Sequence, residues 1–137
     1  MSLVLSDMSM FVAGVLLVSL VTIEFGGMFL LRVSSGREPA TNFQRGFFRA
    51  GHAHAGVLVV LSLATQPYVS VAGLDGVWEM LATFGVPASA ILMSAGFFLS
   101  AIGRGREKPN RLIALVFLGA AVLAASVLTL GVSLLTV

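Results

Sequence analysis

The sequence predicts an all-α integral membrane protein, folded as a single bundle of four transmembrane helices over residues 1–137. Hydrophobic residues make up 58% of the chain and charged residues only 10%, whereas a soluble domain carries about 25% charged residues. The apolar residues fall into four runs, each long enough to cross the ~30 Å hydrocarbon layer as a helix of about 20 residues. All eight Lys and Arg residues lie in or beside two of the three connecting loops.

Turn-forming residues separate the four apolar runs. Ser34–Gly36 are expected to end the first helix, and Thr41 or Asn42 to cap the second. Pro67 is expected to end the second helix, and Pro87 to kink the third from within. The predicted helices cover residues of about 8–32, 42–66, 77–102 and 110–136.

The basic residues predict the orientation of the chain in the membrane. They cluster in the first and third loops, and the N-terminus, the second loop and the C-terminus have none. By the positive-inside rule, loops 1 and 3 are cytoplasmic and both termini are outside. We expect the chain to lie in the inner or plasma membrane and to contact anionic lipid. The residues are Arg32, Arg37, Arg45, Arg49, Arg104, Arg106, Lys108 and Arg111.

Three ionisable residues interrupt the apolar runs at similar depth. Glu24 precedes Arg32 by eight residues, which places it roughly 12 Å inside the membrane. His52 and His54 lie at a comparable depth in the second helix, the antiparallel neighbour of the first. Intramembrane ionisable residues are costly and are usually functional. The sequence therefore predicts a buried Glu/His polar site, with Arg49 continuing a stripe toward His52 that could carry protons or anions.

The spacing of the histidines limits what they can bind together. Residues two apart on a helix point about 200° apart, so His52 and His54 cannot both ligate one metal from a regular helix. One histidine is expected to face Glu24, and the other a different helix, a ligand or a second protomer. The sequence leaves open which histidine does which.

Two short runs resemble known families. Glu24 to Arg32 (EFGGMFLLR) resembles the first helix of small multidrug resistance transporters, which have four helices and a membrane-embedded Glu in helix one. That resemblance covers about one helix and implies transport. His52 to Gly56 (HAHAG) is similar to His-x-His helices in membrane haem proteins related to haem–copper oxidases. It covers a few residues and implies haem ligation, without the further histidines of a complete haem–metal centre.

Three functions remain open from the sequence. The first is proton- or cation-linked transport or channel activity by a homo-oligomer, with Glu24 as the coupling carboxylate and His52 and His54 as a proton relay or as ligands. The second is a membrane redox protein in which His52 or His54 binds haem, or a histidine and Glu24 hold a divalent metal. The third is an accessory subunit of a larger membrane complex.

Two other classes are not favoured. The chain has no cysteine and no Ser-His-Asp set or phosphate-binding loop, so a conventional enzyme is not expected. Nucleic-acid binding is not expected either, because the basic residues lie where membrane topology requires them.

Overall fold

The computed structural model describes residues 5–136 and contains four long helices, each long and apolar enough to cross a membrane. They are α1 (Asp7–Ser34), α2 (Asn42–Val71), α3 (Gly76–Ser100) and α4 (Ala114–Thr136), and a 3-10 turn (Arg111–Ile113) leads into α4. The prediction of an all-helical chain with four potential membrane spans is confirmed.

Side-chain hydrogen bonds fix the start of α2 against the loop before α4. Thr41 is the N-cap and forms a capping box with Gln44, each side chain accepting from the other's backbone amide at 3.1 Å. The Gln44 amide nitrogen then donates to the carbonyl oxygens of Ala101 (2.9 Å) and Gly103 (2.7 Å). These bonds join loops 1 and 3 at one end of the molecule, called here the basic end.

The predicted end of α2 at Pro67 is wrong, because the helix continues to Val71. A proline cannot donate the backbone hydrogen bond of its position. A transmembrane helix tolerates that loss when side chains and neighbouring helices make hydrogen bonds with the turn that follows. Ser70 does this by donating to the carbonyl oxygen of Gln66 (3.3 Å) and to the hydroxyl of Ser9 on α1 (3.3 Å). Ala72 is the C-cap of the helix and is followed by Gly73 with φ of 64°.

The four helices of the bundle pack side by side in chain order, as an open row. α3 packs on both α2 and α4, and α1 packs on α2, touches α3 marginally and, within residues 5–136, does not contact α4. Three glycines bring α3 and α4 together: a Cβ on Gly85, Gly96 or Gly119 would lie 2.6–2.7 Å from an atom of the facing helix. α3 is consequently the most buried helix and α1 an edge of the row.

Candidate functional site

His52 lies in the contact between α1 and α2, over two glycines of α1. A Cβ on Gly26 would lie 3.3 Å from the imidazole Nδ1, and one on Gly27 would lie 3.5 Å from Nε2. The half-buried ring lies against both glycines, and a Cβ would crowd it slightly at Gly26 and touch it at ordinary van der Waals distance at Gly27. This contact fixes the register of the two antiparallel helices and brings His52 to the same depth as the helix turn after Glu24.

Glu24 is exposed on the outer surface of the single chain, and the prediction that it is buried is wrong. α1 packs on the row through Ile23 and the Gly26–Gly27 pair. Since successive helix residues are rotated by roughly 100°, the residue after Ile23 points away from that contact. Within residues 5–136 the Glu24 carboxylate has no hydrogen-bond or ion-pair partner, so neither histidine is paired with it.

Glu24 lies within a line of exposed residues along α1, called here the α1 stripe. Its members are spaced alternately by four and three residues, which places them on one side of the helix. They are Met10, Gly14, Leu17, Val21, Glu24, Met28 and Leu31. All members except Glu24 are apolar. The Glu24 carboxylate is therefore the single charged group on the stripe, which a lone chain would turn toward hydrocarbon.

His54 faces α3 rather than α1. Its Nδ1 lies 2.7 Å from the carbonyl oxygen of Ala50, and because a carbonyl only accepts, Nδ1 carries the proton. In the neutral ring Nε2 then has the lone pair, the arrangement that metal-ligating histidines use. The ring lies against Phe97, with ring centroids 4.9 Å apart.

The two histidines thus lie on different sides of α2, as their spacing predicts. Among the residues that the structure describes, no three His, Cys, Asp or Glu side chains come together in a group able to hold a metal ion. Glu24, His52 and His54 therefore do not form a shared metal site within one chain. A metal or haem bound to one histidine would need ligands from elsewhere.

The predicted stripe of cations also lies on α2, toward the basic end. Arg49 is exposed and Arg45 is half-buried, one and two turns before His52. The Nε atom of Arg45 is buried and, within the described part of the chain, has no hydrogen-bond partner. A buried donor without a partner is costly, so Arg45 is a place at the basic end where a bound acceptor would lower the energy.

A cavity of about 650 Å³ opens at the basic end between loops 1 and 3. Glu38 and Arg104 line it together with the aromatic rings of Phe29 and Phe48, which pack edge to face at 5.3 Å. Phe48 lies one helical turn before His52 on α2. The cavity therefore leads from the charged end of the molecule toward the depth of the histidines.

Two buried glutamines were missed by the sequence argument. Gln44 joins the loops, as described above. Gln66 is 1% exposed and donates to the carbonyl oxygen of Thr83 at 3.2 Å, the oxygen that Pro87 leaves without its usual helical donor. An amide side chain within an apolar run, combined with a proline in a neighbouring run, was the available signal.

Comparison with protein families, curated proteins and solved structures finds no match for this chain. The two short resemblances, to small multidrug resistance transporters and to membrane haem proteins, gain no support from it. The function has to be inferred from the chain's own residues.

Proposed function

We propose that the chain is a proton- or cation-linked transporter or channel that works as a homo-oligomer, with Glu24 as its coupling carboxylate. One observation carries the proposal: Glu24 lies well inside α1, a helix long and apolar enough to cross a membrane, on the exposed α1 stripe and without a partner among residues 5–136. A carboxylate in hydrocarbon is stable only when it is protonated, paired or in contact with water. A second copy that covers the stripe would provide such a setting between protomers.

The contacts around His52 support a relay role for the neighbouring helix. The ring is half-buried at nearly the depth of Glu24, and its nitrogens have no hydrogen-bond partner among the described residues. An imidazole can exchange a proton at either nitrogen near neutral pH. Arg49 and the cavity at the basic end lie between the charged end of the molecule and His52, on the route along which protons would reach the ring.

We infer that the basic end faces the cytoplasm of a cell whose inner or plasma membrane holds the protein. Support comes from the distribution of charge, since both loops at that end are basic and the opposite end carries Asp7, Asp75 and Glu79. In this orientation the cavity beside Phe48 opens to the cytoplasm.

The test is proton flux into liposomes that contain the purified full-length chain and a trapped pH-sensitive dye. A potassium gradient with valinomycin sets the membrane potential that drives protons inward. We expect the native chain to acidify the lumen and Glu24→Gln to lower the rate by about tenfold or more, because the amide cannot exchange a proton.

Glu79→Gln is the matched control, since Glu79 is an exposed carboxylate in the first turn of α3. Its flux should equal that of the native chain. Flux in Glu24→Gln that matches both would remove Glu24 from the mechanism, and absence of flux in the native chain with any of H⁺, Na⁺ or K⁺ would sink the transport proposal.

The second candidate is a haem or metal site at His54. The observation that favours it is the hydrogen bond from Nδ1 to Ala50, which leaves Nε2 as the ligating nitrogen. A histidine from each of two protomers could then bind one haem axially.

An absorption spectrum and metal analysis of the purified protein test this candidate. A site at His54 predicts a Soret band or stoichiometric metal in the native chain and in His52→Ala. His54→Ala should lose whichever signal the native chain shows. A native sample with neither signal excludes the redox function, and equal loss in both variants would contradict the assignment to His54.

A further inference from the structure

A groove of about 300 Å³ lies at membrane depth where α1 and α3 diverge over α2. It exists because the edge helix α1 packs on α2 and touches α3 only marginally. Ala55 and Val59 of α2 form its floor, and Pro87 of α3 lines one wall. Its volume is at the lower end of the range of small-molecule sites.

The groove is apolar except for three hydroxyls. Ser19 is satisfied within its own helix, because it donates to the carbonyl oxygen of Leu16 at 2.7 Å. The Ser94 Oγ is buried and, within residues 5–136, has no hydrogen-bond partner. Thr22, on the opposite wall, is exposed and makes no hydrogen bond with any described residue.

Away from the helix ends, Ser94 and Thr22 differ in this from the other hydroxyls of the described spans, which bond to backbone carbonyls or to another side chain. Examples on the same helices as the groove are Ser89, which donates to Val86 at 2.7 Å, and Ser62, which donates to Leu58 at 2.6 Å. No water reaches this depth to replace a missing partner, so the two unmet O–H groups represent a cost.

The two hydroxyls also lie at matched depth. Thr22 is about one turn from the Gly26–Gly27 pair that faces His52, and Ser94 is about one turn from Phe98, whose ring faces Gly51. Counting ~1.5 Å per residue along antiparallel neighbours, both hydroxyls come within about 3 Å of the same level, close to Ala55.

We propose that this groove binds a lipophilic carbonyl compound, of the size and shape of a quinone ring with a short tail. Thr22 and Ser94 donate hydrogen bonds to its oxygens from opposite walls. A plain acyl chain fills the apolar part but offers no acceptor, and lipid ester oxygens lie at the interface rather than at this depth. A quinone ring carries two acceptor oxygens on opposite edges. The site is separate from Glu24, which lies on another side of α1.

The test uses the full-length chain in lipid nanodiscs with 2,3-dimethoxy-5-methyl-6-decyl-1,4-benzoquinone as the probe and decylbenzene as the matched hydrocarbon. Bound ligand is counted by native mass spectrometry. We expect one quinone per chain and no saturable binding of decylbenzene. Ser94→Ala and Thr22→Val should each weaken quinone binding by about three- to tenfold, the effect of one hydrogen bond.

Two further variants separate binding in the groove from other effects. Ser89→Ala removes a hydrogen bond from a hydroxyl to the backbone outside the groove and should leave quinone binding unchanged. Ala55→Phe should abolish quinone binding, because the larger side chain fills the space above the floor of the groove. Circular dichroism checks that each variant is folded. Equal binding of both compounds, unaffected by the hydroxyl variants, would overturn the proposal in favour of an acyl chain. A change of oligomeric size in Ala55→Phe with quinone binding intact would overturn it in favour of a second copy.

Discussion

Pro87 leaves the carbonyl oxygen of Thr83 without the amide hydrogen that an α-helix would supply, and Gln66 replaces it from the neighbouring helix. The glutamine is almost completely buried, and its Oε1 has no partner within the described residues. The Nε2 atom of the amide therefore stabilises the α2–α3 contact, while the unpartnered Oε1 atom carries the energetic cost of desolvation. The hydrogen bond from Gln66 is available because Pro87 leaves the Thr83 carbonyl oxygen free to accept it.

The coupling between the two residues can be measured. Gln66→Met keeps the side-chain length and removes the donor, so we expect it to lower the free energy of unfolding by about 1 kcal/mol. In a Pro87→Ala background the new amide bonds to the Thr83 oxygen, and the same substitution should then cost less. Unfolding in detergent by titration with sodium dodecyl sulfate gives all four free energies. Equal costs in both backgrounds would show that Gln66 does not act on the proline site.

At the residue scale, the sequence predicted correctly that the two histidines point to different sides of α2. It predicted wrongly that Glu24 is buried. A separation of two residues on a helix is enough to send His52 and His54 to different sides, and no tertiary contact alters that. Burial of Glu24 depends instead on which residues of α1 contact α2. Ile23, Gly26 and Gly27 are no more obvious as a packing face than Glu24 and its neighbours, since α1 is apolar all around.

At the scale of the helices, the existence of each span follows from its length and apolar composition, whereas its packing partners do not. Apolar residues are favourable against lipid and protein alike, so the sequence contains no strong signal for the inside of the row. The close α3–α4 contact comes from Gly85, Gly96 and Gly119, and Gly51 of α2 makes a similarly close approach to Phe98 of α3. Other span glycines face open space, among them Gly14, Gly46, Gly56 and Gly131. Pro67 was misleading for a related reason, since a proline ends a helix in water more often than in a membrane.

The small residues of α4 show the same limit. Ala120, Ala121, Ala124 and Ala125 have the spacing of a helix-packing face, which suits packing within the chain and oligomerisation alike. All four are exposed in the single chain, while Gly119 and Ser126 make the contact with α3. They remain available to lipid or to another protein.

For the whole molecule, the open row leaves two candidate faces for assembly, the α1 stripe and the outer side of α4. Covering the α1 stripe would lower the energy more than covering the outer side of α4, because a lone chain in a membrane would expose the Glu24 carboxylate to hydrocarbon. Its spacing of four and three residues is that of a helix-packing seam. Two copies with the same orientation in a membrane have parallel α1 helices, so equal positions of the stripe lie opposite one another. A homo-oligomer formed through α1 would bring the two Glu24 side chains together.

The absence of cysteine from the chain makes this assembly directly testable. We expect Val21→Cys and Met28→Cys, one turn on either side of Glu24, to form disulfide-linked dimers when native membranes are oxidised. Equal positions of a parallel pair lie within the Cα separation that a disulfide spans, about 4.4–6.8 Å. Leu128→Cys, exposed on α4, is the control and should stay monomeric on a denaturing gel.

The opposite pattern would have a definite meaning. Cross-linking through Leu128→Cys alone would make the alanine-rich side of α4 the interface between copies, and Glu24 would then need a different protein to cover it. The chain would in that case act as an accessory subunit, and proton flux by the isolated protein should be absent. Cross-linking through Val21→Cys together with flux that depends on Glu24 would instead tie transport to the α1 interface, because both depend on the same carboxylate being shielded from lipid.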